Sequence, residues 1–193
     1  MEKLQNFIKS LEAKDCTLSI SPQAISKLVA DKDSTNPHRN LLWTTDPTVE
    51  LPIIRTKHGL GSENPLTIMD LWQIALAKDA QAPALSYKLE GNWLSLTLQQ
   101  YYEECIRFGC AVVKENITER TGLSILSYNN KEWFFSYNGG VFANLIATGL
   151  YITNKPKLCE YVLQDCNSEI CVVENQDQLN KILVSWGNLP KLR

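Results

Sequence analysis

The sequence predicts an α/β protein with a parallel βαβαβα core over about residues 122–193, preceded by a β-hairpin and helices. Three apolar runs carry this prediction: Leu123–Leu126, a run that ends at Leu150–Ile152, and Ile170–Val173. Helical patterns of ten or more residues separate the runs, which is typical of βαβ units and parallel sheets. None of the runs alternates apolar with polar residues, so we expect strands that are covered on both faces.

The amino-acid composition limits the classes of protein to which this chain could belong. The chain has 193 residues, of which 44% are hydrophobic and 21% charged, as in a globular protein with a real core. The net charge is −2 and the basic residues are scattered, so no nucleic-acid partner is expected. No apolar segment approaches the roughly 18–20 residues of a membrane-spanning helix, and the N-terminus lacks the apolar centre of a secretory signal. We expect a cytoplasmic location.

The six cysteines indicate buried thiols. They lie at positions 16, 105, 110, 159, 166 and 171, and none form a Cys-x-x-Cys pair. Only two histidines, His38 and His58, accompany them. Structural thiols in a reducing compartment are therefore favoured over metal ligands.

Residues 1–40 are interpreted as an N-terminal extension, helical or disordered. Residues 2–14 have apolar side chains at helical spacing. Docking or disorder is favoured over binding to a membrane surface, because the helix is short and carries both charge signs. Ser21-Pro22 predicts the start of a second short helix, and residues 31–40 have the composition of a linker.

The next segment predicts extended chain and one helix. Trp43 and the run Val49–Ile54 could pair as extended segments. The sequence Gly59-Leu60-Gly61 invites comparison with a phosphate loop, but Asn64 replaces the third glycine and a plain loop is favoured. Thr67 and Asp70 predict a capped helix that runs through to about Lys78. Its expected buried side chains are those of Leu71, Trp72, Ile74 and Ala75.

A hairpin and a long helix follow. Ala84–Lys88 and Trp93–Leu96 are predicted strands around the turn Leu89-Glu90-Gly91-Asn92. Thr97 and Gln100 form a capping box for a helix that runs to about Lys114. The side chains expected to be buried are those of Leu98, Tyr101, Cys105, Phe108 and Val112. Glu103 and Glu104 suggest acid–base chemistry only superficially, since consecutive helical positions do not face each other.

Residues typical of helix caps mark where the helices of the predicted core begin and end. Asn129 or Asn130 begins one helix, and Gly139-Gly140 inside it indicates close packing of helix on sheet at a cost of about 1 kcal/mol per glycine. Asn154, with Pro156 in the first turn, is the predicted cap of the next helix. Asn175 and Gln178 cap the last helix, which Gly187 should end. That helix is expected to bury Leu179, Ile182, Leu183 and Trp186, and Leu189–Leu192 looks like the approach to another strand.

The residues alone assign no chemistry. The sequence has no Gly-x-x-x-x-Gly-Lys loop, no His-Glu-x-x-His motif, and no Gly-x-Ser-x-Gly elbow, since Gly122-Leu-Ser124-Ile-Leu126 lacks the last glycine. A nucleotide-dependent oxidoreductase is disfavoured because the glycine fingerprint after the first core strand is absent. We name no catalytic, cofactor-binding or metal-binding residue.

An ordered series of short patches points to a family. The patches are Leu42–Thr45, Gln99–Tyr102, Glu132–Ser136, Gly149–Asn154, Cys159–Tyr161, Val172–Glu174, Gln178–Leu183 and Leu189–Leu192. Over about residues 41–193 the chain resembles the N-terminal part of a bubblegum-type long-chain acyl-CoA synthetase, within the AMP-forming adenylating enzymes. Residues 41–193 would then be a partial AMP-binding domain that stops before the phosphate-binding loop.

The resemblance implies a two-step ligase of fatty acid and lipid metabolism. ATP and a long-chain fatty acid would give an acyl-adenylate and pyrophosphate with Mg²⁺ present, and coenzyme A would then form the thioester. The family's phosphate loop, ribose-binding acid and adenylation lysine all lie downstream of the matched region. We therefore expect this chain to be inactive alone. We also expect it to aggregate or to be partly molten when expressed alone. The resemblance further implies that the full enzyme associates peripherally with the endoplasmic reticulum membrane. The alternative is a non-catalytic α/β module that binds a partner or ligand.

Overall fold

The computed structural model describes residues 44–46, 49, 51, 58 and 62–193. The described residues before Ile74 belong to one compact unit and those from Ile74 onward to another. The predictions for residues 1–40, for Trp43, for most of Val49–Ile54 and for Gly59–Gly61 lie outside the described residues. No helix in the described part of the chain is long and apolar enough to span a membrane.

Helix α1, Ile68–Asp79, begins at the predicted cap. Thr67 Oγ1 accepts the Asp70 N–H at 3.1 Å, and Asp70 Oδ2 accepts the Thr67 N–H at 2.8 Å. The predicted burial is wrong, because Leu71 is 53% and Ile74 46% exposed and no residue of α1 is buried. An apolar side chain is buried only where a neighbouring element covers it, and helical spacing cannot supply that neighbour.

The hairpin and helix α2 match the prediction closely. Strands β1, Pro83–Leu89, and β2, Asn92–Thr97, pair antiparallel. The two residues between them, Glu90 and Gly91, have φ of 49° and 85°, as the tight type I′ turn requires. Helix α2 spans Leu98–Lys114 with both hydrogen bonds of the predicted capping box. Cys105 and Val112 are buried as predicted, whereas Leu98, Tyr101 and Phe108 are half-buried, and α2 also buries Tyr102 and Ile106.

In the part of the chain that the structure describes, the core is a three-stranded parallel sheet in the order β4-β3-β5. Its elements are β3 Gly122–Leu126, α3 Lys131–Phe142, β4 Ile146–Leu150, α4 Pro156–Asp165, β5 Ser168–Val173 and α5 Gln176–Leu183. Only β3 is buried along its whole length. The expectation that every strand is covered on both faces is wrong for β4, where Ile146 is 55% exposed because it lies on an edge strand.

Two apolar clusters lie on opposite faces of the sheet. One joins β3 to α2 and the α3–β4 connection, with Leu123, Ile125 and Val112 among its members. The other joins Leu126 and Leu150 to α4 and α5, and it includes Leu189 and Leu192. Leu123 and Ile125 are fully buried, and each such side chain contributes about 1.5–3 kcal/mol to folding.

The helix caps are partly as predicted. Asn130, not Asn129, caps α3, and its Oδ1 accepts the Trp133 N–H at 2.8 Å. Asn154 does not cap α4, where Lys155 is the N-cap without a side-chain hydrogen bond. Pro156 at the first helical position has its φ set for the helix, so this end forms without such a bond. Asn175 caps α5 through the Gln178 N–H at 3.1 Å, but Gln178 Oε1 makes no return hydrogen bond.

The end of α5 differs from the prediction. The helix stops at Leu183, and Gly187 lies inside a following 3₁₀ turn, Trp186–Asn188. Ile182 is buried, but Leu183 is 49% and Trp186 46% exposed. The turn redirects the chain so that Leu189 and Leu192, rather than Leu183 and Trp186, reach the core.

Candidate functional site

The carboxyl ends of β3 and β4 open into a cleft of about 600 Å³. Its walls are the turn after β3, the end of β4 and the first turns of α3; the lining residues are Ser127, Tyr128, Asn129, Trp133 and Gly149–Thr153. A smaller recess of about 140 Å³, between the ends of β3 and β5, shares Ser127 and Trp133 with it. Open parallel sheets bind their ligands at this edge, so it is the candidate site.

The turn after β3 is held by its own hydrogen bonds. Asn130 Nδ2 donates to Ser127 Oγ at 2.9 Å, and Ser127 Oγ donates to the Tyr128 carbonyl at 2.7 Å. The Tyr128 N–H donates to a Glu174 carboxylate oxygen at 3.0 Å. These hydrogen bonds therefore fix the shape of the turn. The Tyr128 N–H is already bonded to the Glu174 carboxylate.

Aromatic rings give the cleft its apolar surface. Trp133 stacks on Tyr137, with ring centroids 5.3 Å apart and planes 8° from parallel. Tyr128 is 64% and Tyr151 80% exposed. A Cβ placed on Gly149 would stand 3.9 Å from Trp133 Cζ2, so this part of β4 has no side chain covering the indole. The cleft can accept a flat or apolar group by burial against these rings.

The polar groups around the cleft do not fit a nucleotide triphosphate on their own. Phosphate sites need several converging backbone N–H groups or cations. Here the Lys181 ammonium donates to the Ile152 carbonyl, the Tyr128 N–H is bound to Glu174, and Asn130 caps α3. Between Ser62 and Arg193 there is also no cluster of three His, Cys, Asp or Glu side chains that could hold a metal ion.

The adjacent glutamates of α2 make separate local contacts. Gln99 Nε2 donates to Glu103 at 2.8 Å, while Glu104 pairs with Arg107 one turn later. The two carboxylates share no partner in these contacts, as expected of consecutive helical positions. They form no acid–base pair.

The described cysteines are free thiols. Burial raises the pKa of Cys105 to about 12 and that of Cys171 to about 12. Burial also raises the pKa of Cys159 above its ordinary value. Such thiols are rarely ionised and react slowly, which agrees with the prediction of structural cysteines.

The sequence did not identify the aromatic cleft. Trp133 and Tyr151 stood only within the patches Glu132–Ser136 and Gly149–Asn154, and Tyr128 carried no predicted role. The available signal was a tyrosine just after the run Leu123–Leu126 and another inside the run that ends at Leu150–Ile152, since the carboxyl ends of parallel strands meet at one edge. That signal is weak, because exposed tyrosines are common on protein surfaces.

The chain has relatives among curated proteins. It is 37% identical over 161 residues to the long-chain-fatty-acid–CoA ligase ACSBG2 of Gallus gallus, a match that covers 83% of this chain and 21% of that protein. It is 36% identical over 160 residues to ACSBG1 of Bos taurus, covering 82% of this chain and 22% of that protein. The chain thus spans about a fifth of the length of these relatives. No protein-family profile matches it.

Solved structures share the fold. The anthranilate CoA ligase AuaEII, in complex with anthranoyl-AMP, matches with a TM-score of 0.56 and 28% identity over 64% of this chain and 23% of its own. The A-PCP didomain of a carboxylic acid reductase from Segniliparus rugosus, in complex with AMP, matches with a TM-score of 0.61 over 68% of this chain and 21% of its own. That likeness is at 9% identity and shows the fold alone.

Proposed function

We propose that this chain, a relative of the bubblegum-type long-chain-fatty-acid–CoA ligases with the fold of part of an adenylate-forming N-terminal domain, forms the N-terminal portion of such a ligase. The complete enzyme would convert a long-chain fatty acid, ATP and coenzyme A to acyl-CoA, AMP and pyrophosphate through an acyl-adenylate. The observation that carries this proposal is the 37% identity sustained over 83% of the chain.

In this proposal the chain is a scaffold that carries no catalytic group of its own. The wall of Trp133, Tyr128 and Tyr151 borders the carboxyl edge of the sheet, where adenylate chemistry would need a dry, apolar boundary. The phosphate-binding groups would come from other residues of the ligase, because the Tyr128 N–H at the cleft is bonded to Glu174 and the nearby Lys181 ammonium to the Ile152 carbonyl. ATP and coenzyme A would be substrates of that assembled enzyme, and Mg²⁺ would screen the triphosphate charge.

The location follows from the same proposal. A fatty acid–CoA ligase takes its substrate from lipid, so we propose peripheral association of the assembled enzyme with the endoplasmic reticulum membrane. In this chain the exposed aromatic and aliphatic side chains, such as Trp93 at 71%, are scattered over several elements. We assign no membrane-binding residue.

The test is ATP–pyrophosphate exchange with palmitate and the purified 193-residue chain. The proposal expects no exchange above a protein-free blank, because in it the groups that hold and transfer phosphate belong to other parts of the ligase. Exchange that depends on both palmitate and the chain would show that the chain is itself an adenylating enzyme. The alternative function, a non-catalytic binding module, predicts the same blank result, so the two are separated by placing this chain in a complete ligase in place of the matched stretch.

A further inference from the structure

The cleft has two walls, and the β5–α5 segment bonds to both of them. One wall is the turn after β3, which includes Tyr128, and the other is the segment after β4, which includes Ile152. The Tyr128 N–H donates to a Glu174 carboxylate oxygen at 3.0 Å, and the Lys181 ammonium donates to the Ile152 carbonyl. Glu174 directly follows β5 and Lys181 lies in α5, so two side chains of opposite charge from one short segment hold the two walls.

Both side chains start from fixed backbone. The Glu174 N–H donates to the Leu126 carbonyl of β3 at 3.2 Å, which anchors this residue to the sheet. Asn175 caps α5, and Ile182, next to Lys181 in the helix, is buried in the core. The shape of a binding site is set most precisely by groups on rigid elements, so both hydrogen bonds to the walls are built on firm supports.

The bond from Glu174 is the first of a series that ends at Trp133. Ser127 Oγ donates to the Tyr128 carbonyl at 2.7 Å and accepts from Asn130 Nδ2 at 2.9 Å. Asn130 Oδ1 in turn accepts the Trp133 N–H at 2.8 Å. Hydrogen bonds with one charged partner are stronger than those between neutral groups. Loss of the Glu174 carboxylate should therefore loosen the turn and shift the indole that it supports.

The bond from Lys181 fixes the opposite wall. The segment after β4 forms a turn in which the Asn154 N–H donates to the Tyr151 carbonyl at 2.9 Å. The Ile152 carbonyl lies within this turn and is the acceptor for the ammonium of Lys181, which is half-buried. Without that bond the turn is free to move away from α5 and to carry the exposed Tyr151 ring with it.

We propose that Glu174 and Lys181 are positioning residues of the cleft, which hold its two walls so that the apolar or flat part of a ligase substrate lies between the aromatic rings. The inference rests on the proposed function, since the substrate is that of the ligase. Neither side chain contacts the reacting atoms in this role. Both act on binding alone, so their loss should raise KM and leave kcat nearly unchanged.

Amide hydrogen exchange on the full chain tests the bond to the first wall. Glu174→Ala should make the Tyr128 amide exchange roughly tenfold or more faster. The amide of Ile125, in the buried strand that is paired on both sides, should keep its rate and so exclude global unfolding. Tyr128 exchange that is equally fast in the unsubstituted chain and in the variant would overturn the proposal.

The kinetic test uses the Gallus gallus ligase in which this chain replaces the matched stretch. KM is measured for palmitate, ATP and coenzyme A. Glu174→Ala and Lys181→Ala should raise KM for the same substrate by roughly fivefold or more, with kcat within about twofold of the unsubstituted chimera. Glu174→Gln and Lys181→Arg should restore most of the affinity, because each new side chain can still make the hydrogen bond.

Two matched controls break single hydrogen bonds outside the cleft. Glu160→Ala removes an acceptor of Asn188 Nδ2, and Lys191→Ala removes a donor to Asn167 Oδ1. Both controls should leave every KM unchanged.

The possible results separate the positioning role from the ligase assignment. A fall in kcat alone would mean less folded enzyme and would overturn the positioning role. Increases in KM for two different substrates, or equal increases in the controls, would also overturn it. An active chimera whose KM values do not respond to either substitution overturns only the positioning role. An inactive chimera with the unsubstituted chain overturns the ligase assignment, and the positioning role with it.

Discussion

Gly139 of α3 lies so close to Cys105 of α2 that a Cβ on the glycine would stand 2.4 Å from the Cys105 carbonyl oxygen. The contact is reciprocal, because a Cβ on Gly109 of α2 would stand 2.9 Å from the Gly139 carbonyl oxygen. One position along α3, about 100° around the helix, a Cβ on Gly140 would meet Leu123 Cδ2 of β3 at 2.2 Å. Helix α3 is thus held between α2 and the sheet with no room for a side chain at either glycine.

Gly139→Ala should destabilise the chain. Alanine improves helix propensity by about 1 kcal/mol, but the backbone oxygen of Cys105 cannot move without separating the two helices. We expect a net loss of about 2 kcal/mol, within the usual range for overpacking. Urea unfolding followed by circular dichroism measures it. Gly187→Ala is the matched control, since a Cβ there meets nothing within 4 Å, and an equal loss in both variants would refute the packing argument.

The ion pair at Glu169 should make stability depend on pH. Burial acts to raise the pKa of this carboxyl, but hydrogen bonds from Thr118 and the charges of Arg193 and Lys191 outweigh it and hold the pKa below the ordinary 4.5. Because the folded-state pKa is the lower one, the stabilisation is complete above the ordinary pKa and is lost as pH falls through the folded value.

Glu169→Gln removes this contribution. At pH 7 the variant should be less stable by about 1.5 kcal/mol, the low end of the range for a hydrogen bond to a charged group, because the glutamine oxygen can still accept a hydrogen bond. In strong acid, below the folded-state pKa, the difference from the unmodified chain should shrink toward zero. Urea midpoints at the two pH values provide the measurement, with the exposed Glu103→Gln as control. A stability difference that is unchanged in acid would rule out the charged state of Glu169 as its source.

Asn175 and Asn154 were both predicted to be helix N-caps, but only Asn175 is one in the structure. Asn175→Ala should cost about 1 kcal/mol, because Asn175 Oδ1 accepts the Gln178 N–H at the start of α5. Asn154→Ala should cost only a few tenths, since Lys155 is the N-cap of α4 and Pro156 sets its first turn. Thermal unfolding of the two variants compares the same chemical change at both sites. Equal losses would mean that the Asn154 side chain stabilises α4 after all.

The buried thiols of Cys105 and Cys159 should resist alkylation. Burial raises the pKa of Cys105 to about 12, raises the pKa of Cys159 above its ordinary value, and limits access of the reagent to both. With iodoacetamide at pH 8, mass spectrometry should find both sites unmodified in the native chain and fully modified in urea. Cys110 is only partly buried and provides the internal comparison. Native labelling of Cys105 at the rate of Cys110 would contradict its placement in the core.

Local signals predicted the elements, and tertiary packing decided the rest. The boundaries of α2 and the hairpin turn follow from Thr97, Gln100 and Glu90-Gly91, whose effects act within a few residues. The parallel pairing follows from apolar runs separated by helices. Gly139-Gly140 indicated close packing, but only the structure shows that Gly140 faces the sheet while Gly139 faces α2.

Burial was the least predictable property. Leu71, Leu183 and Trp186 have helical spacing, yet each is about half exposed. Their exposure depends on which helix or strand packs over them, and that packing is determined by residues distant in sequence. The candidate cleft shares this limit, since Tyr128 and Tyr151 are brought to one edge by the pairing of β3 with β4 and by no local motif.

The most direct test of the central claim replaces the matched stretch of the Gallus gallus relative with this chain. The chain aligns with 161 residues of that ligase at 37% identity, so the replacement preserves the order of the strands and helices. Palmitate, ATP and coenzyme A are supplied, and palmitoyl-CoA and AMP are measured. If the chain is the N-terminal portion of a long-chain acyl-CoA ligase, the chimera forms palmitoyl-CoA clearly above a control that lacks the stretch. A folded chimera with no more activity than that deletion control would contradict the claim.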